Sequence, residues 1–358
     1  MSQERPTLKD LAKIFGVSTT TIHRALQGKE GVSGETGEAI RRMAAEMGYR
    51  ANYMAANLKR KTLRLAIAFP EPSQEYEFYY RSLWQGVRQF FQDNQQFSSV
   101  EPIEFFYPLS PGAHGVLLQQ LYEDHLSRLD GLLTLAVEHP LSALYLEKLS
   151  EAGLPIALVG SDLYQEQRLC CVKAFDELAG RLAAELLRSF YPGPLEGKLL
   201  LTGNPVGSFP MLDQARNAAG FESYLRKHAP GAVLLTAYHP DVHLAAMHLR
   251  ALLAEHPDLY AIYSVSARHT VMACQVLEEL GLSGQIKLIG NDRFPESIAG
   301  LERGTISAVI DKKISHQSYR ASQLLFDYVT KADVPSAQVV YVQPSILLPS
   351  NANIEPEP

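Results

Sequence analysis

Residues 7–58 read TLKDLAKIFGVSTTTIHRALQGKEGVSGETGEAIRRMAAEMGYRANYMAANL, and the spacing within this stretch decides the N-terminal fold. Its first apolar residues recur at i, i+3, i+4 and i+7, as on one face of a helix: Leu8, Leu11, Ala12 and Phe15. Thr7 can cap this helix, and Gly16 can end it because glycine adopts the left-handed backbone conformation at little cost. The pattern predicts a first helix over about residues 8–15.

A second helix is expected over residues 19–27, with Ser18 as its cap. Its apolar face carries Ile22, Ala25 and Leu26. Its opposite face carries short hydroxyl and basic side chains, namely Thr19, Thr20, His23 and Arg24. Threonine can pack on a thymine methyl group, and arginine can donate two hydrogen bonds to guanine. This face therefore suits a helix whose N-terminal end enters the major groove of DNA.

A third helix is expected over residues 35–47, where Gly48 ends it. Three short amphipathic helices can also form a small bundle that never meets DNA, but the charge distribution favours the DNA interpretation. Residues 1–61 contain 11 Lys and Arg against 6 Asp and Glu, whereas the whole chain has a net charge of −6. A basic segment on an acidic body is expected if only that segment contacts phosphates.

On these residues the segment resembles the N-terminal head of the lactose-repressor (LacI) family of bacterial transcription regulators. The resemblance implies that Thr19, Thr20 and Arg24 read bases. It also implies that residues 52–59 form a hinge helix, in which Leu58 enters the minor groove beside Ala55, unstacking the bases and kinking the duplex. The DNA-contacting residues predicted in this way are Thr7, Ser18, Thr19, Thr20, Thr21, His23, Arg24, Asn52, Ala55, Leu58 and Lys59.

Four positions depart from the family's pattern. The family usually has serine at His23, asparagine at Gln27, arginine at Gly37 and proline at Ala51. These departures bear on the operator sequence and on the stability of the hinge, and not on DNA binding itself. His23 either contacts a base or a phosphate, or lies solvated beside the groove.

The composition is that of a soluble globular protein, with 46% hydrophobic residues and no run near the ~18 apolar residues that a membrane span needs. The N-terminus MSQERPTLKD lacks the apolar core of a signal peptide, so a cytoplasmic, nucleoid-associated protein is expected. Three cysteines, Cys170, Cys171 and Cys274, do not make a disulfide framework. Cys170 and Cys171 are expected as buried neighbours in a strand and not as a redox pair.

Beyond residue 61, short apolar runs alternate with helical patterns. The nine strand candidates are residues 63–69, 103–107, 131–136, 156–159, 198–202, 233–237, 261–265, 287–290 and 307–310. Such alternation predicts parallel sheets covered on both faces, in two doubly wound lobes. The family resemblance implies a sensor like the type I periplasmic sugar-binding proteins. By that analogy one lobe takes residues 62–161 and 292–322, and the other takes residues 162–291 and 323–346.

Ligands of such sheets bind beyond the carboxyl ends of the strands. Asp292 follows a strand where the family usually has a ligand-binding aspartate, although it could instead cap the next helix. The family's ligand-gripping arginine falls at Asn217, with Arg216 one place earlier. Either Arg216 has taken over the contact, or the ligand lacks the group that the arginine grips, and Asn217 is slightly preferred.

The remaining ligand candidates are two polar residues at strand ends and three aromatic residues near the first strand, namely Ser266, Asp311, Phe69, Tyr76 and Phe78. The rings could face the apolar side of a sugar or could belong to the core. Two acidic side chains and few cations near the cleft favour a neutral, hydroxyl-rich ligand.

Three rival functions have less support. An enzyme is disfavoured because the chain has no phosphate-binding loop, serine elbow or Cys/His pair, and because His239, His243 and His248 do not share one helical face. An exported solute receptor conflicts with the DNA head and the missing signal peptide. A purely architectural DNA protein would leave the large two-lobed body unexplained.

The predicted fold is α+β multidomain. It comprises an all-α helix-turn-helix head (residues 1–50), a hinge (51–61), a two-lobed doubly wound α/β sensor (62–346) and a polar tail (347–358). The predicted function is a homodimeric repressor that binds near-palindromic operator DNA under the control of a sugar or polyol. The alternative is a non-sugar effector or corepressor. No cofactor, metal or membrane partner is expected.

Overall fold

The structure, a computed structural model, describes residues 8–18, 21, 22, 25, 34–46, 62–72, 77–95, 100–203 and 212–354. The chain divides into two compact units. One contains residues 1–62 and 326–334, and the other contains residues 63–325 and 335–358.

The N-terminal unit is helical where it is described. It contains α1 (Leu8–Phe15) and α2 (Gly34–Glu46), and residues 21, 22 and 25 are also helical. Its core is formed by apolar residues from all three segments: Leu11, Ala12, Ile22, Ala25, Ile40 and Ala44. The apolar faces predicted for the first two helices are therefore confirmed at the described positions.

The second unit alternates strands with helices. Its strands are β1 (Leu63–Pro70), β2 (Val100–Tyr107), β3 (Gly131–Leu135), β4 (Ile156–Val159), β5 (Cys170–Ala174), β6 (Lys198–Gly203), β7 (Val233–Tyr238), β8 (Leu259–Ser264), β9 (Lys287–Asn291), β10 (Ala308–Asp311), β11 (Val339–Val342) and β12 (Ser345–Leu347). All nine predicted strands are present. The nine strand candidates did not include β5, although a strand was expected at Cys170 and Cys171, nor β11 and β12, which are short and partly exposed.

The helices between these strands are α3 (Glu77–Asp93), α4 (Ala113–Gln120), α5 (Pro140–Glu151), α6 (Asp176–Phe190), α7 (Leu212–His228), α8 (Val242–Glu255), α9 (Ala267–Glu279), α10 (Pro295–Glu302) and α11 (Ile314–Lys331). A short π-helical segment, Leu121–His125, continues α4.

The strands form two six-stranded sheets, one in each lobe. The first sheet has the order β11-β5-β4-β3-β1-β2 and is parallel throughout. The second has the order β12-β10-β9-β8-β6-β7, with only β12 antiparallel to its neighbour. Every residue of β3, β4 and β5 is buried, as expected for parallel strands covered on both faces. The prediction of two doubly wound lobes is confirmed.

The predicted division between the lobes is wrong in two places. Residues 292–311 belong to the second lobe, because β10 pairs with β9. Strands β5 and β11 belong to the first lobe, because β5 pairs with both β4 and β11. The chain therefore crosses between lobes at Phe175, at Lys312 and Lys313, and at Gln343 and Pro344.

Helix α11 begins in the first lobe, against α3. The Ser318 hydroxyl donates a hydrogen bond to the carbonyl oxygen of Leu83 at 2.8 Å. Gly86 allows this contact, since a Cβ there would lie 1.9 Å from the carbonyl oxygen of Ser315. The crossover at Lys313 is therefore anchored to the first lobe immediately after it leaves the second.

Helices α6 and α7 cross closely in the second lobe because each contributes a glycine. A Cβ at Gly180 would lie 1.9 Å from the carbonyl oxygen of Asn217, and one at Gly220 would lie 2.1 Å from that of Glu177. Real Cβ atoms do not approach a backbone oxygen so closely, so the two glycines fix the distance between the helices. That distance sets the position of Asn217 relative to the sheet.

We expect Gly180→Ala to destabilise the protein by about 1–3 kcal/mol, because the overpacking outweighs the gain in helix propensity of about 1 kcal/mol. Urea unfolding measures the change. Glu185→Ala, at an exposed position of the same helix, is the control and should stay within about 0.5 kcal/mol of wild type. Equal stability of Gly180→Ala and wild type would show that the helices do not cross at this glycine.

Candidate functional site

The turn between the first two helices of the head is stabilised by Gly16 and Ser18. Gly16 has φ +64°, the left-handed conformation predicted for it. The Ser18 Oγ accepts a hydrogen bond from the backbone N–H of Thr21 at 3.1 Å and lies 2.9 Å from the Thr21 Oγ1. Ser18 therefore caps the second helix, as predicted, and its hydroxyl also orients that of Thr21.

Helix α2 is linked to the helical residue 25. The Arg41 guanidinium donates a hydrogen bond to the carbonyl oxygen of Ala25 at 2.9 Å. Most of the predicted DNA contacts lie outside the described residues: Thr7, Thr19, Thr20, His23, Arg24, Asn52, Ala55, Leu58 and Lys59. Their roles stay predictions.

In the second lobe, Asp292 and Lys312 meet where two neighbouring strands end. Asp292 follows β9 and Lys312 follows β10, and the Lys312 Nζ lies 3.5 Å from the Asp292 Oδ2. Their side chains are only 8% and 11% exposed. Two opposite charges that close together balance each other at this end of the sheet. Carboxylate and ammonium groups are both groups that hydroxyls bind.

Asp292 is held in position by its backbone. Its φ of 69° lies in the left-handed region, which aspartate tolerates better than most residues. Its N–H donates to the carbonyl oxygen of Ile310 at 2.9 Å, and its own carbonyl oxygen accepts from the Ser297 hydroxyl at 3.0 Å. The carboxylate is thus fixed at the end of the sheet between β10 and α10.

Beneath this pair lies a buried hydrogen-bond network centred on Asn291. The Asn291 Nδ2 donates to the Tyr263 hydroxyl at 2.9 Å and to the carbonyl oxygen of Ser264 at 2.6 Å. Its Oδ1 accepts from the Asn217 Nδ2 at 3.2 Å. The Tyr263 hydroxyl donates to the Asn217 Oδ1 at 2.5 Å, and burial raises the pKa of Tyr263, so the phenol keeps its proton. The network ties α7, β8 and β9 together.

The expectation that Asn217 faces the ligand needs correction. Its side chain is completely buried, and both ends of its amide are occupied by the network, so it is not presented to the cleft. Arg216 is exposed, on the helical face opposite to the core. Of the two alternatives for this position, only Arg216 is accessible to a ligand.

Ser266 caps α9. Its Oγ accepts from the N–H of His269 at 3.3 Å and lies 2.8 Å from the His269 Nδ1. The His269 Nε2 lies 2.9 Å from the carbonyl oxygen of His239, at the end of β7. Burial lowers the pKa of His269, so the neutral ring bridges two strand ends. Ser266 is half-buried, and a ligand contact by it stays a prediction.

Asp311 and Lys312 are consecutive at the end of β10, where successive side chains point to opposite faces. The Asp311 Oδ1 accepts from the N–H of Lys313 at 2.8 Å, and burial raises the pKa of its carboxyl group. Asp311 is thus engaged by the crossover to the first lobe, while Lys312 meets Asp292. A ligand contact by Asp311 stays a prediction.

The three predicted aromatic contacts differ in their surroundings. Phe69 is completely buried and packs edge-on against Trp84, 5.4 Å between ring centroids, so it belongs to the core of the first lobe and does not face a ligand. Phe78 is half-buried and stacks on Phe294 of the second lobe at 4.8 Å. Tyr76 lies outside the described residues.

The first lobe carries its own buried polar cluster where β3 ends. The His114 Nε2 lies 2.9 Å from the Thr134 Oγ1, and its Nδ1 lies 3.0 Å from the Ser142 Oγ. Burial lowers the pKa of His114 to about 3, with a smaller contribution from His139. His114 is therefore neutral near pH 7, and both ring nitrogens are occupied within the lobe.

Sequence reasoning missed Lys312, Tyr263 and Asn291. Lys312 stands directly after an apolar strand, where a lysine is unusual unless it is paired, and that was the available signal. Nothing in the pattern of β8 or β9 indicates that Tyr263 and Asn291 bond to a helix far away in the sequence.

The cysteines are buried and free. Cys170 and Cys171 lie in β5, as predicted, and burial raises the pKa of each thiol to about 12. Thiols in such surroundings stay protonated and unreactive. Within the described parts of the chain, no cluster of three metal-binding side chains occurs. No helix in those parts is long and apolar enough to cross a membrane.

Two family models match the chain. Residues 7–52 match the family described as bacterial regulatory proteins, lacI family. Residues 67–333, which are most of the chain, match the periplasmic binding protein domain. These matches coincide with the helical head and with the two-lobed body.

Curated relatives resemble the chain over most of its length. The HTH-type transcriptional regulator CelR of Thermobifida fusca is 27% identical over 324 residues, covering 85% of this chain and 84% of that protein. The sucrose operon repressor of Pediococcus pentosaceus is 24% identical over 300 residues, covering 80% and 82%.

Solved structures share the two-lobed fold. A solute-binding protein of an Agrobacterium vitis ABC transporter, bound with α-D-tagatopyranose, has a TM-score of 0.67 at 20% identity over 82% of this chain and 96% of that one. The glucose-galactose binding protein GanP of Geobacillus stearothermophilus has a TM-score of 0.67 at 19% identity over 82% and 100%.

We expect Tyr263→Phe to destabilise the protein by about 1–3 kcal/mol, because it leaves the Asn217 Oδ1 and one Asn291 N–H buried without their partner. Tyr260→Phe on the same strand is the matched control. Among the described residues, the buried Tyr260 hydroxyl has no hydrogen-bond partner, so its loss should be neutral or slightly stabilising. Thermal unfolding of both variants measures the difference, and equal melting temperatures would contradict the network.

Proposed function

We propose a function from the premise that the chain belongs to the lacI family of bacterial regulatory proteins, with a DNA-binding head and a periplasmic binding protein domain. It is a transcription regulator, most simply a repressor, whose affinity for operator DNA is set by a neutral sugar or polyol bound between its two lobes. It acts in the cytoplasm on DNA and catalyses no reaction.

The observation that carries the effector proposal is the Asp292–Lys312 pair. A carboxylate accepts hydrogen bonds from neighbouring hydroxyls, and an ammonium group donates to hydroxyl or ring oxygens. Because the two charges balance, an anion entering the site would add an uncompensated buried charge, which is costly. A ligand rich in hydroxyl groups and without charge matches this arrangement.

The names of the relatives agree with this effector class. A sucrose operon repressor resembles the chain over most of its length, and the structural neighbours include proteins that bind tagatose, glucose and galactose. A non-sugar effector is the second candidate. The accessible Arg216 favours it, because a guanidinium can pair with an acidic group on the ligand.

The lobes can transmit the effector's presence through their connections. Lys312 belongs both to the ligand pair and to a crossover, since α11 starts only two residues later. The Phe78–Phe294 stack joins the two lobes directly. A ligand that prefers one relative orientation of the lobes shifts the population towards it. Operator binding changes only to the extent that this orientation differs in its affinity for DNA.

The head and the symmetry of DNA together favour a homodimer. Two identical heads related by a two-fold axis would place their second helices in successive major grooves of a near-palindromic site. The paired hinge segments, residues 52–59, would then meet in the minor groove between the half-sites.

Asp292→Asn should abolish the response to the effector, because the amide replaces one accepting oxygen with an NH2 donor and leaves the charge of Lys312 uncompensated. Thermal shift of the full chain measures this, with tagatose, galactose, sucrose and myo-inositol as probes. A sugar at 100 times its dissociation constant should stabilise wild type by about 2.7 kcal/mol. Asp241→Asn is the control, since asparagine caps α8 as well as aspartate does.

A full stabilising shift in Asp292→Asn would remove Asp292 from the site. If only acidic analogues such as galacturonate stabilise wild type, the effector carries a charge and Arg216 takes the place assigned to the Asp292–Lys312 pair.

Leu58→Ala should weaken binding to an operator selected from random duplexes by about tenfold or more, because the apolar wedge is lost and unstacking costs a few kcal/mol per step. Fluorescence anisotropy measures the affinity. The affinity of Leu58→Ala for sugar should be unchanged. Leu58→Met, which keeps an apolar side chain of similar length, should retain most of the operator affinity. An operator affinity equal to that of wild type would rule out the wedge.

A further inference from the structure

A groove of about 930 Å³ lies beside the crossovers of the sensor; the predicted ligand contacts Phe78 and Asp311 line it, and neither Asp292 nor Lys312 does. Its walls come from both lobes: α3 and the start of α11 in the first, α10 in the second. Two of the three crossovers also line it, at Lys313 and at Gln343. A molecule bound there would touch both lobes and the segments about which they move. We call this the hinge groove.

The hinge groove is rich in positive charge. Its cations are Arg293, Lys313 and Arg320; the ring of His316 lies beside them, and all four residues are half-buried. Arg293 donates to the carbonyl oxygen of Ile354 at 2.7 Å and Arg320 donates to the Gln323 Oε1 at 2.5 Å, both uncharged acceptors.

The protein balances these cations only in part, through the electrostatic interaction of Asp311 with Arg293 and Lys313. Within the described ranges, no carboxylate lies within ion-pair distance of Arg293, Lys313 or Arg320. Two acids line the groove, Asp311 and Glu302. The Asp311 carboxylate accepts from the backbone of Lys313, and Glu302 accepts from the Asn353 side chain.

Lys313 and Arg320 are also close enough to His316 to act on the pKa of its ring. Burial lowers the pKa of His316, and Lys313 and Arg320 lower it further. Lys313 is one of three non-glycine residues with positive φ, 53°, among the described residues. Its side chain is therefore set by a backbone conformation that lysine rarely adopts, next to the strand end at Asp311.

The groove is not only polar. Phe78, Phe294, Ile298 and Tyr319 contribute apolar surface to it. Clustered cations over such surface suit a ligand with an anionic group and a ring or carbon skeleton. A second copy of the chain, placed with a two-fold axis through the groove, would instead bring the same cations face to face.

We propose that the hinge groove is a second effector site, which binds a small organic anion with two or more negative charges, such as a phosphorylated sugar or a polycarboxylate. Bound there, the anion bridges the lobes and changes the affinity of the separate sugar site. The inference goes beyond the proposed function, because anion binding itself needs neither operator DNA nor the Asp292–Lys312 pair, and only its effect on sugar affinity rests on that function.

Calorimetric titration of the full chain with pyrophosphate, citrate and ribose 5-phosphate tests this, with ribose as the uncharged control. We expect at least one anion to bind, with an affinity that falls as salt rises. The double variant Lys313→Gln/Arg320→Gln should bind it at least tenfold more weakly. The variant Arg226→Gln/Lys227→Gln removes the same charge from the exposed end of α7 and should bind like wild type.

Absence of binding by all three anions at millimolar concentration would overturn the proposal, as would equal binding by the two double variants. Sedimentation of each variant measures the mass of the assembly, which tests whether a second subunit and not an anion occupies the groove. If Lys313→Gln/Arg320→Gln changes the mass of the assembly and wild type binds no anion, the groove is a contact between subunits and not an effector site.

Discussion

The second lobe depends on one buried amide. Asn291 bonds to a helix, to its neighbouring strand and, through its N–H, to the Thr270 hydroxyl of α9 at 3.1 Å. Buried polar groups must be satisfied, so these elements can pack only in the arrangement that completes the network. That arrangement also sets the position of Asp292, because it is the next residue in the chain. The carboxylate proposed to bind the effector is thus positioned by the buried side chains of Asn291, Asn217 and Tyr263.

Neighbouring residues also have separate roles at the end of β10, the strand beside Asp292. Lys312 neutralises Asp292, while Asp311 holds the backbone of Lys313 on the other face of the chain. Residues 311–313 therefore include a member of the ion pair proposed to bind the effector, the crossover between the lobes and two residues that line the hinge groove. Because the crossover passes directly into α11, which packs on α3, any shift at the ligand pair is transmitted to the first lobe. This crossover is by itself a short enough connection to couple the two lobes.

The described part of the head and the alternation of strands and helices could be predicted from sequence, because they depend on local spacing. Gly16, Ser18 and Leu11 each have the conformation or burial that the pattern indicates. The lobe boundaries could not be predicted, since β5 and β11 are assigned to the first lobe by pairing between residues far apart in the sequence. Asn217 and Phe69 were assigned to the ligand by position alone, and their burial depends on tertiary contacts. The position of Lys312 could not be predicted either, because it depends on the alternation of side chains along β10, which places Lys312 and Asp311 on opposite faces.

The central claim is that a sugar between the lobes controls binding to DNA. The most direct measurement is the operator affinity of the full chain, by fluorescence anisotropy, without and with a saturating concentration of the sugar that stabilises it. The account predicts a change of tenfold or more, which corresponds to a coupling free energy of about 1.4 kcal/mol, and an equal reciprocal change in sugar affinity when operator is present. An operator affinity that is the same at every sugar concentration would contradict it.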